Sequence, residues 1–236
     1  MRSVLVLGGS SDIGKDIVIE YVERGWSVLA HGNSWSGKAL SVIGAHTNVS
    51  RFQLDLSEVS EVESFIKSEK KLTELDAIIN CVGYWQNGSY ANQSIQELET
   101  AFRVNVFSPF LFTQAAIPTM LDKKWGRIVH LGSIGVKFGG GKSNVAYSWS
   151  KHSLEFIPSE CLNWAKDNVL VNVVRIAATD TRIHALNSLK DMEERISHIP
   201  IGRLATTKEV AKAVVWLGTE DNQLITGQVI PISGGE

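Results

Sequence analysis

Hydrophobic positions along this chain alternate between two patterns. Val4-Leu5-Val6-Leu7 is an unbroken apolar run, the pattern of a strand covered on both faces. A glycine-rich turn follows, and then Ile13, Ile17, Val18, Tyr21 and Val22 recur at the spacing of one helix face. Residues 27–31 read as a second strand and residues 52–54 sit in a third. Val59, Val62, Phe65 and Ile66 form a helical stripe between Glu58 and Lys70, and residues 75–79 read as a fourth strand. A long helical region over 95–121 contains Pro109 and Pro118, which predict kinks or early termination. Residues 127–131 and 168–175 read as strands five and six. Between them Gly139-Gly140-Gly141 predicts a flexible loop ahead of a helix that carries Tyr147. Val210, Val214, Val215 and Leu217 lie on a helix after Thr207, and residues 228–232 make a short last strand. Repeated β-α-β units with apolar strands predict an α/β fold: a doubly wound parallel sheet of about seven strands with helices on both faces. No repeat or linker divides the chain, so residues 1–236 read as one domain.

Composition narrows the function classes. Hydrophobic residues make up 44%, enough for a large core, and the net charge of −2 comes from interspersed charges with no basic stripe. Nucleic acid is therefore not an expected partner. Two cysteines, Cys81 and Cys161, provide no disulfide framework and fit a reducing compartment. No Cys/His spacing suggests a metal. The apolar run before Gly8 is too short for a signal peptide, and no stretch approaches the length of a membrane span. The expectation is a cytoplasmic protein without membrane contact.

Ligands of such sheets bind at the carboxyl ends of the strands. That places residues 8–14, residues 80–83, Ser133 and the residues after Arg175 around one crevice, with the Tyr147 helix beside it. The turn Gly8-Gly-Ser-Ser-Asp-Ile-Gly14, between a strand and a helix, is built to let backbone approach a pyrophosphate at a positive helix end. Tyr147 and Lys151, four apart on a helix, project side by side. A cation there is expected to lower the phenol pKa toward neutrality and ready it for proton transfer.

These residues carry a resemblance. In order and spacing they are similar to the short-chain dehydrogenases/reductases, in particular the single-domain, 3-oxoacyl reductase-like branch with its Rossmann fold. The resemblance covers nearly the whole chain. Residues 8–14 resemble that family's Gly-x-x-x-Gly-x-Gly turn, Asp55 its adenine-contacting acid, and Asn80-Cys-Val-Gly83 its Asn-Asn-Ala-Gly motif. Asn105 resembles its helix asparagine, and Ser133, Tyr147 and Lys151 its catalytic serine, tyrosine and lysine. Ile201-Gly-Arg-Leu204, Glu209-Val-Ala211, Thr226-Gly-Gln228 and Gly234-Gly235 resemble its closing segments. The resemblance implies an NAD(P)-dependent oxidoreductase that moves hydride between a nicotinamide and a carbonyl or alcohol of ketone or 3-oxoacyl type. Tyr147 would transfer the proton, Ser133 would hold the substrate oxygen, and Lys151 would also hold the nicotinamide ribose. Asn105 would fix a water that relays protons. Cofactor contacts are implied for Gly8, Ser10, Ser11, Asp12, Ile13 and Gly14, for Asn33, Ser34, Asp55 and Leu56, and for Asn80, Val82, Gly83, Thr179 and Thr181. A homo-oligomer, tetramer or dimer, is implied as well.

The chain departs from that pattern in four places. Asp12 stands where the middle glycine belongs, adding charge near phosphates unless it caps the helix. Cys81 replaces the second asparagine, and Ile176-Ala177 replaces a Pro-Gly. Pro158 falls in the helix begun by Tyr147 and predicts a kink there. The second strand ends Ala30-His31-Gly32-Asn33-Ser34, with no acid to select NAD; Asn33, Ser34 and a protonated His31 would suit the 2′-phosphate of NADP, so NADP(H) is favoured over NAD(H). Tyr84, Trp85 and a lid over 178–200 are expected to shape the substrate pocket. Within that lid His184, Leu186, Leu189 and Met192 lie at helical spacing, while Arg182 and His184 are expected in solvent. The alternative is a catalytically impaired NAD(P)-binding sensor or scaffold. A sugar-nucleotide epimerase ranks below both, because only a short segment follows Lys151.

Overall fold

A computed structural model of the chain describes residues 1–141, 143–182 and 189–236. Seven parallel strands form one sheet: β1 (Ser3–Leu7), β2 (Ser27–Gly32), β3 (Val49–Gln53), β4 (Ala77–Asn80), β5 (Gly126–Ser133), β6 (Val169–Ile176) and β7 (Val229–Ile232). Their spatial order is β3-β2-β1-β4-β5-β6-β7, the doubly wound order whose direction reverses at β1. The register sets Leu7 beside Asn80, and Ser133 beside Ile176. The helices are α1 (Asp12–Glu23), α2 (Gly37–Gly44), α3 (Val59–Ser68), α4 (Ile95–Phe102), α5 (Ser108–Lys123), α6 (Val145–Ser153), α7 (Ser159–Asn163), α8 (Leu189–Ser197) and α9 (Thr207–Leu217).

The apolar runs follow from burial on both faces. Val4 and Val6 join a core with Ile17, Val18 and Tyr21 of α1 and Val210, Val214 and Val215 of α9. Leu5 and Leu7 point the other way, into a core with Val62 of α3 and with Phe112, Ala116 and Met120 of α5. Alternation by two along β1 thus feeds two layers. Arg127, 1% exposed, ties the amino edge of the sheet together by donating to the carbonyls of Thr219, Asn222 and Asn168.

The helical region over 95–121 breaks at neither proline. A π-turn at Arg103–Phe107 separates α4 from α5, Pro109 opens α5, and Pro118 is carried inside it. Pro109 has no N–H for the Asn105 carbonyl four residues back, and that carbonyl accepts the Asn80 side chain at 3.5 Å instead. Ile95–Lys123 also has the length and apolar composition of a membrane span, contrary to the sequence expectation. Its Phe112, Ala116 and Met120 are fully buried against the sheet. Pro158 does not kink the Tyr147 helix. That helix ends at Ser153, and Pro158 is the cap residue of α7. The predicted flexible loop is organised by Asn144, whose Oδ1 accepts Gly141 N–H at 2.7 Å and the Ser148 hydroxyl at 2.8 Å.

Candidate active site

All strand carboxyl ends lie on one side of a parallel sheet, and a cavity of about 730 Å³ opens there. Its floor is the turn after β1. Gly8 adopts φ +82°, and a Cβ on it would stand 2.9 Å from the Cys81 carbonyl; a Cβ on Gly14 would stand 2.0 Å from the Gly8 carbonyl. Neither position admits a side chain, so backbone itself forms the cradle. Ser11 caps α1, its Oγ accepting Gly14 N–H at 3.0 Å. The positive end of α1 is thereby aimed into the cavity, lined there by Ser11, Asp12 and Ile13. This geometry fits a dinucleotide pyrophosphate.

Asp12 does not cap the helix; it is the first residue of α1. Its carboxylate pairs with Arg182, accepting the Arg182 backbone N–H at 3.0 Å and Nε at 3.1 Å. The acid that looked misplaced beside a phosphate therefore brings its own cation, and Arg182 is not simply solvated. His31 cannot serve a 2′-phosphate. It is 2% exposed, and its Nδ1 lies 3.1 Å from the Gly8 N–H, which requires a bare nitrogen there. Nε2 then donates to the Leu54 carbonyl at 2.9 Å, and burial pushes the ring pKa down, which keeps it neutral. Asn33 and Ser34, in contrast, are exposed beyond β2. The Ser10 side chain packs under Gly32. Asp55 is exposed and accepts the Ser57 N–H and hydroxyl on one oxygen, while Leu56 is buried beside it.

Lys151 is 3% exposed, and its Nζ donates to the carbonyls of Val82 at 2.7 Å and Leu131 at 2.6 Å. One of its three protons remains for a ligand. Burial pushes its pKa down to about 8. The Nζ lies 6.0 Å from the Tyr147 ring centroid. The expected effect of Lys151 on Tyr147 is corrected here: burial dominates and raises the phenol pKa, with Ser133 acting to lower it and Cys81 to raise it. Ser133, at the end of β5, accepts the Gly135 N–H at 3.3 Å on its Oγ, and its hydroxyl hydrogen-bonds the Tyr147 phenol. Gly83 brings backbone against Tyr147, where a Cβ would stand 3.8 Å from the ring.

Asn105 is fully buried in the π-turn. Its Oδ1 accepts Tyr84 N–H at 2.7 Å, and its Nδ2 donates to the Tyr84 carbonyl and the Ser150 hydroxyl. Ser150 donates in turn to the Tyr147 carbonyl. The Asn105 side chain is thus a clamp between the loop after β4 and α6, which leaves any water relay to its backbone. Asn80 is also buried, and its Oδ1 accepts Val82 N–H at 3.3 Å.

After β6 the backbone needs no Pro-Gly. Ala177 stays outside the left-handed region, and its N–H extends the ladder to the Ile232 carbonyl at 3.0 Å. Thr179 and Thr181 line the cavity, but Thr179 donates to the Ala177 carbonyl and Thr181 to that of Thr179. Of the expected pocket pair, Trp85 lines the cavity, while Tyr84 turns away to donate to Glu97 at 2.7 Å. In the lid, His184 and Leu186 lie outside the described residues; Leu189 and Met192 fall on α8. Arg195, within the expected lid, also lines the cavity; sequence reasoning missed Phe138, Asn144 and Glu236, which line it as well. No motif marks them.

Residues 8–236 match the family model described as enoyl-(acyl carrier protein) reductase. The chain belongs to the short-chain dehydrogenase/reductase family. Among members of that family, the 3-oxoacyl-(acyl-carrier-protein) reductase of Aquifex aeolicus is 32% identical over 238 residues, covering 98% of this chain and 95% of the relative. The solved 3-oxoacyl-(acyl-carrier-protein) reductase of Agrobacterium tumefaciens C58, with NADP bound, superposes with TM-score 0.86 at 26% identity, covering 100% of this chain and 94% of that one. A candidate NAD(P)-dependent gluconate 5-dehydrogenase from Beutenbergia cavernae, also with NADP bound, superposes with TM-score 0.88 at 25% identity, covering 99% and 96%. The chain is an NAD(P)-dependent oxidoreductase of the family's type, acting between carbonyl and CH–OH groups.

Gly14→Ala is expected to weaken NADPH binding by about tenfold or more, because the new methyl displaces the Gly8 carbonyl and opens the cradle. Fluorescence titration with NADPH measures this; an unchanged dissociation constant would contradict the cradle.

Proposed function

We propose that this single-domain protein interconverts a ketone or 3-oxoacyl group and the corresponding alcohol, with Tyr147 as general acid and base and NADP(H) as the hydride partner. The observation that carries the reading is the meeting of Ser133, Tyr147 and Lys151 on the wall of the cavity whose floor is the Gly8 and Gly14 cradle. Asn33 and Ser34, exposed after β2 in a stretch whose sequence carries no acid, support the 2′-phosphate. The NADP-bound relatives support the same choice. Ser11, Asp12 and Ile13 hold the pyrophosphate, Asp55 and Leu56 the adenine, and Val82, Gly83, Thr179 and Thr181 the nicotinamide half. Bound NADPH supplies the hydride.

The chain's own residues manage the proton. Burial keeps the Tyr147 phenol protonated at neutral pH, so it enters reduction as an acid. Ser133 turns its hydroxyl proton from the Tyr147 phenol to the substrate oxygen and stabilises the charge that develops there. Lys151, anchored on two carbonyls, turns its remaining proton toward the ribose hydroxyls and places its positive charge beside the phenolate that forms. Asn105 and Ser150 are positioning residues, since they fix the backbone that carries Tyr147. The exposed aromatic face of Phe107, Phe110 and Trp149 supports a homo-oligomer.

Tyr147→Phe is expected to lower kcat on a ketone panel by about a thousandfold and leave the NADPH dissociation constant nearly unchanged. Steady-state assays and ligand titration check both, and a variant with a near-normal rate would refute the assignment. The wild-type protein is expected to bind NADPH about tenfold more tightly than NADH. A preference for NADH would refute the cofactor reading.

A further inference from the structure

Asp12 is the first residue of α1 and lines the cavity beside Ser11 and Ile13, where the pyrophosphate of a dinucleotide would lie. A bare carboxylate there repels phosphate and offsets the positive helix end. The fold does not leave it bare. Arg182, 170 residues away in sequence, brings its backbone N–H to Asp12 Oδ2 at 3.0 Å and its Nε to 3.1 Å from each carboxylate oxygen. Arg182 also lines the cavity, and its side chain is 75% exposed, so a ligand has access to it. Nε is spent on Asp12, while the two terminal nitrogens make no hydrogen bond to a described residue. The neighbouring cations are committed elsewhere. Lys15 pairs with Asp16 at 3.2 Å, Arg195 pairs with Glu236, and Lys151 is held between the Val82 and Leu131 carbonyls.

We propose that Arg182 is a cofactor-contacting residue whose terminal nitrogens donate to the pyrophosphate of the bound dinucleotide, with Asp12 as the positioning residue that holds the guanidinium through Nε. This rests on the dinucleotide-binding reading above and deepens it. A guanidinium suits the task because its planar fork bonds a carboxylate on one edge and phosphate oxygens on another, and it stays charged at any working pH. With the pair intact, acid and cation cancel, and the end of α1 still attracts phosphate. Without the guanidinium, the pyrophosphate loses its donors and faces an unscreened carboxylate. The Arg182 N–H belongs to the backbone, so its bond to Asp12 persists in Arg182→Ala and keeps the segment after β6 attached to the turn. That substitution therefore reads the guanidinium and not the tether.

Dissociation constants are measured on the full chain by fluorescence titration with NADPH and NADH, and by displacement of NADPH with ADP-ribose, which keeps the pyrophosphate and lacks the nicotinamide. Arg182→Ala is expected to weaken all three ligands by about thirtyfold or more. Asp12→Asn removes the charge and keeps an acceptor oxygen for the backbone N–H. Added to Arg182→Ala, it is expected to strengthen NADPH binding by about fivefold; a merely structural role for Asp12 would weaken binding further. Wild-type affinity in Arg182→Ala would overturn the proposal. A loss confined to NADPH would overturn it by assigning Arg182 to the 2′-phosphate. A loss that spares ADP-ribose, or ADP-ribose that fails to displace NADPH from wild type, would overturn it by moving the contact off the pyrophosphate. No gain from Asp12→Asn in the Arg182→Ala background would overturn the pairing with Asp12. If wild type binds neither NADPH nor NADH, the dinucleotide reading itself fails; normal wild-type binding with an unaffected Arg182→Ala sinks only the role of Arg182.

Discussion

A buried ammonium is the constraint around which this site is arranged. Lys151 sits in the interior on two backbone carbonyls, one from the loop after β4 and one from β5. Both strand ends must stay where they are for the charge to remain paired. Holding the charge there lowers its pKa from 10.5 to about 8, a cost on the order of 3 kcal/mol. The unfolded chain keeps the higher affinity for that proton. The cost is therefore full at neutral pH and fades as pH rises from about 8 toward 10.5, so this group makes the fold relatively more stable in that window. Charge at the site runs the other way: Lys151 is positive below about pH 8 and loses that charge above it.

The elements around Lys151 explain why the neighbouring chain departs from regular geometry. The π-turn buries Asn105 where its side chain clasps the loop after β4 and the Ser150 hydroxyl. Its carbonyl, deprived of a helical donor by Pro109, turns to Asn80. Asn80 in turn accepts the Val82 N–H, and the Val82 carbonyl receives Lys151. A chain of polar groups thus runs from the helix interruption to the ammonium. Each link is buried and satisfied, the condition under which such networks rigidify a site.

The fold was legible because burial on both faces leaves a strong imprint: runs such as Val4-Leu5-Val6-Leu7 admit few other readings. The Tyr147 and Lys151 helix and the glycine cradle were legible for the same local reason, being contiguous in sequence. What escaped the sequence was long-range. The Asp12 and Arg182 pair joins residues 170 apart, so Asp12 alone looked like an intruder among phosphates. His31 looked available for a phosphate because its Gly8 and Leu54 partners lie just beyond the ends of β1 and β3, distant in sequence. Pro158 was read as a kink, although the helix had already ended at Ser153. The influence of Lys151 on Tyr147 was misjudged because spacing along a helix says nothing about desolvation, which dominates both groups.

Lys151 can be observed directly. An NMR titration of protein carrying labelled lysine side chains, with the resonance assigned by its loss in Lys151→Met, reports the protonation of this one group. The account predicts a single lysine with a midpoint near pH 8, shifted down by burial between the Val82 and Leu131 carbonyls. A Lys151 that titrates at the ordinary value of 10.5 would contradict it, because the ammonium would then be solvated and the strand ends around it would not be bound to a common centre.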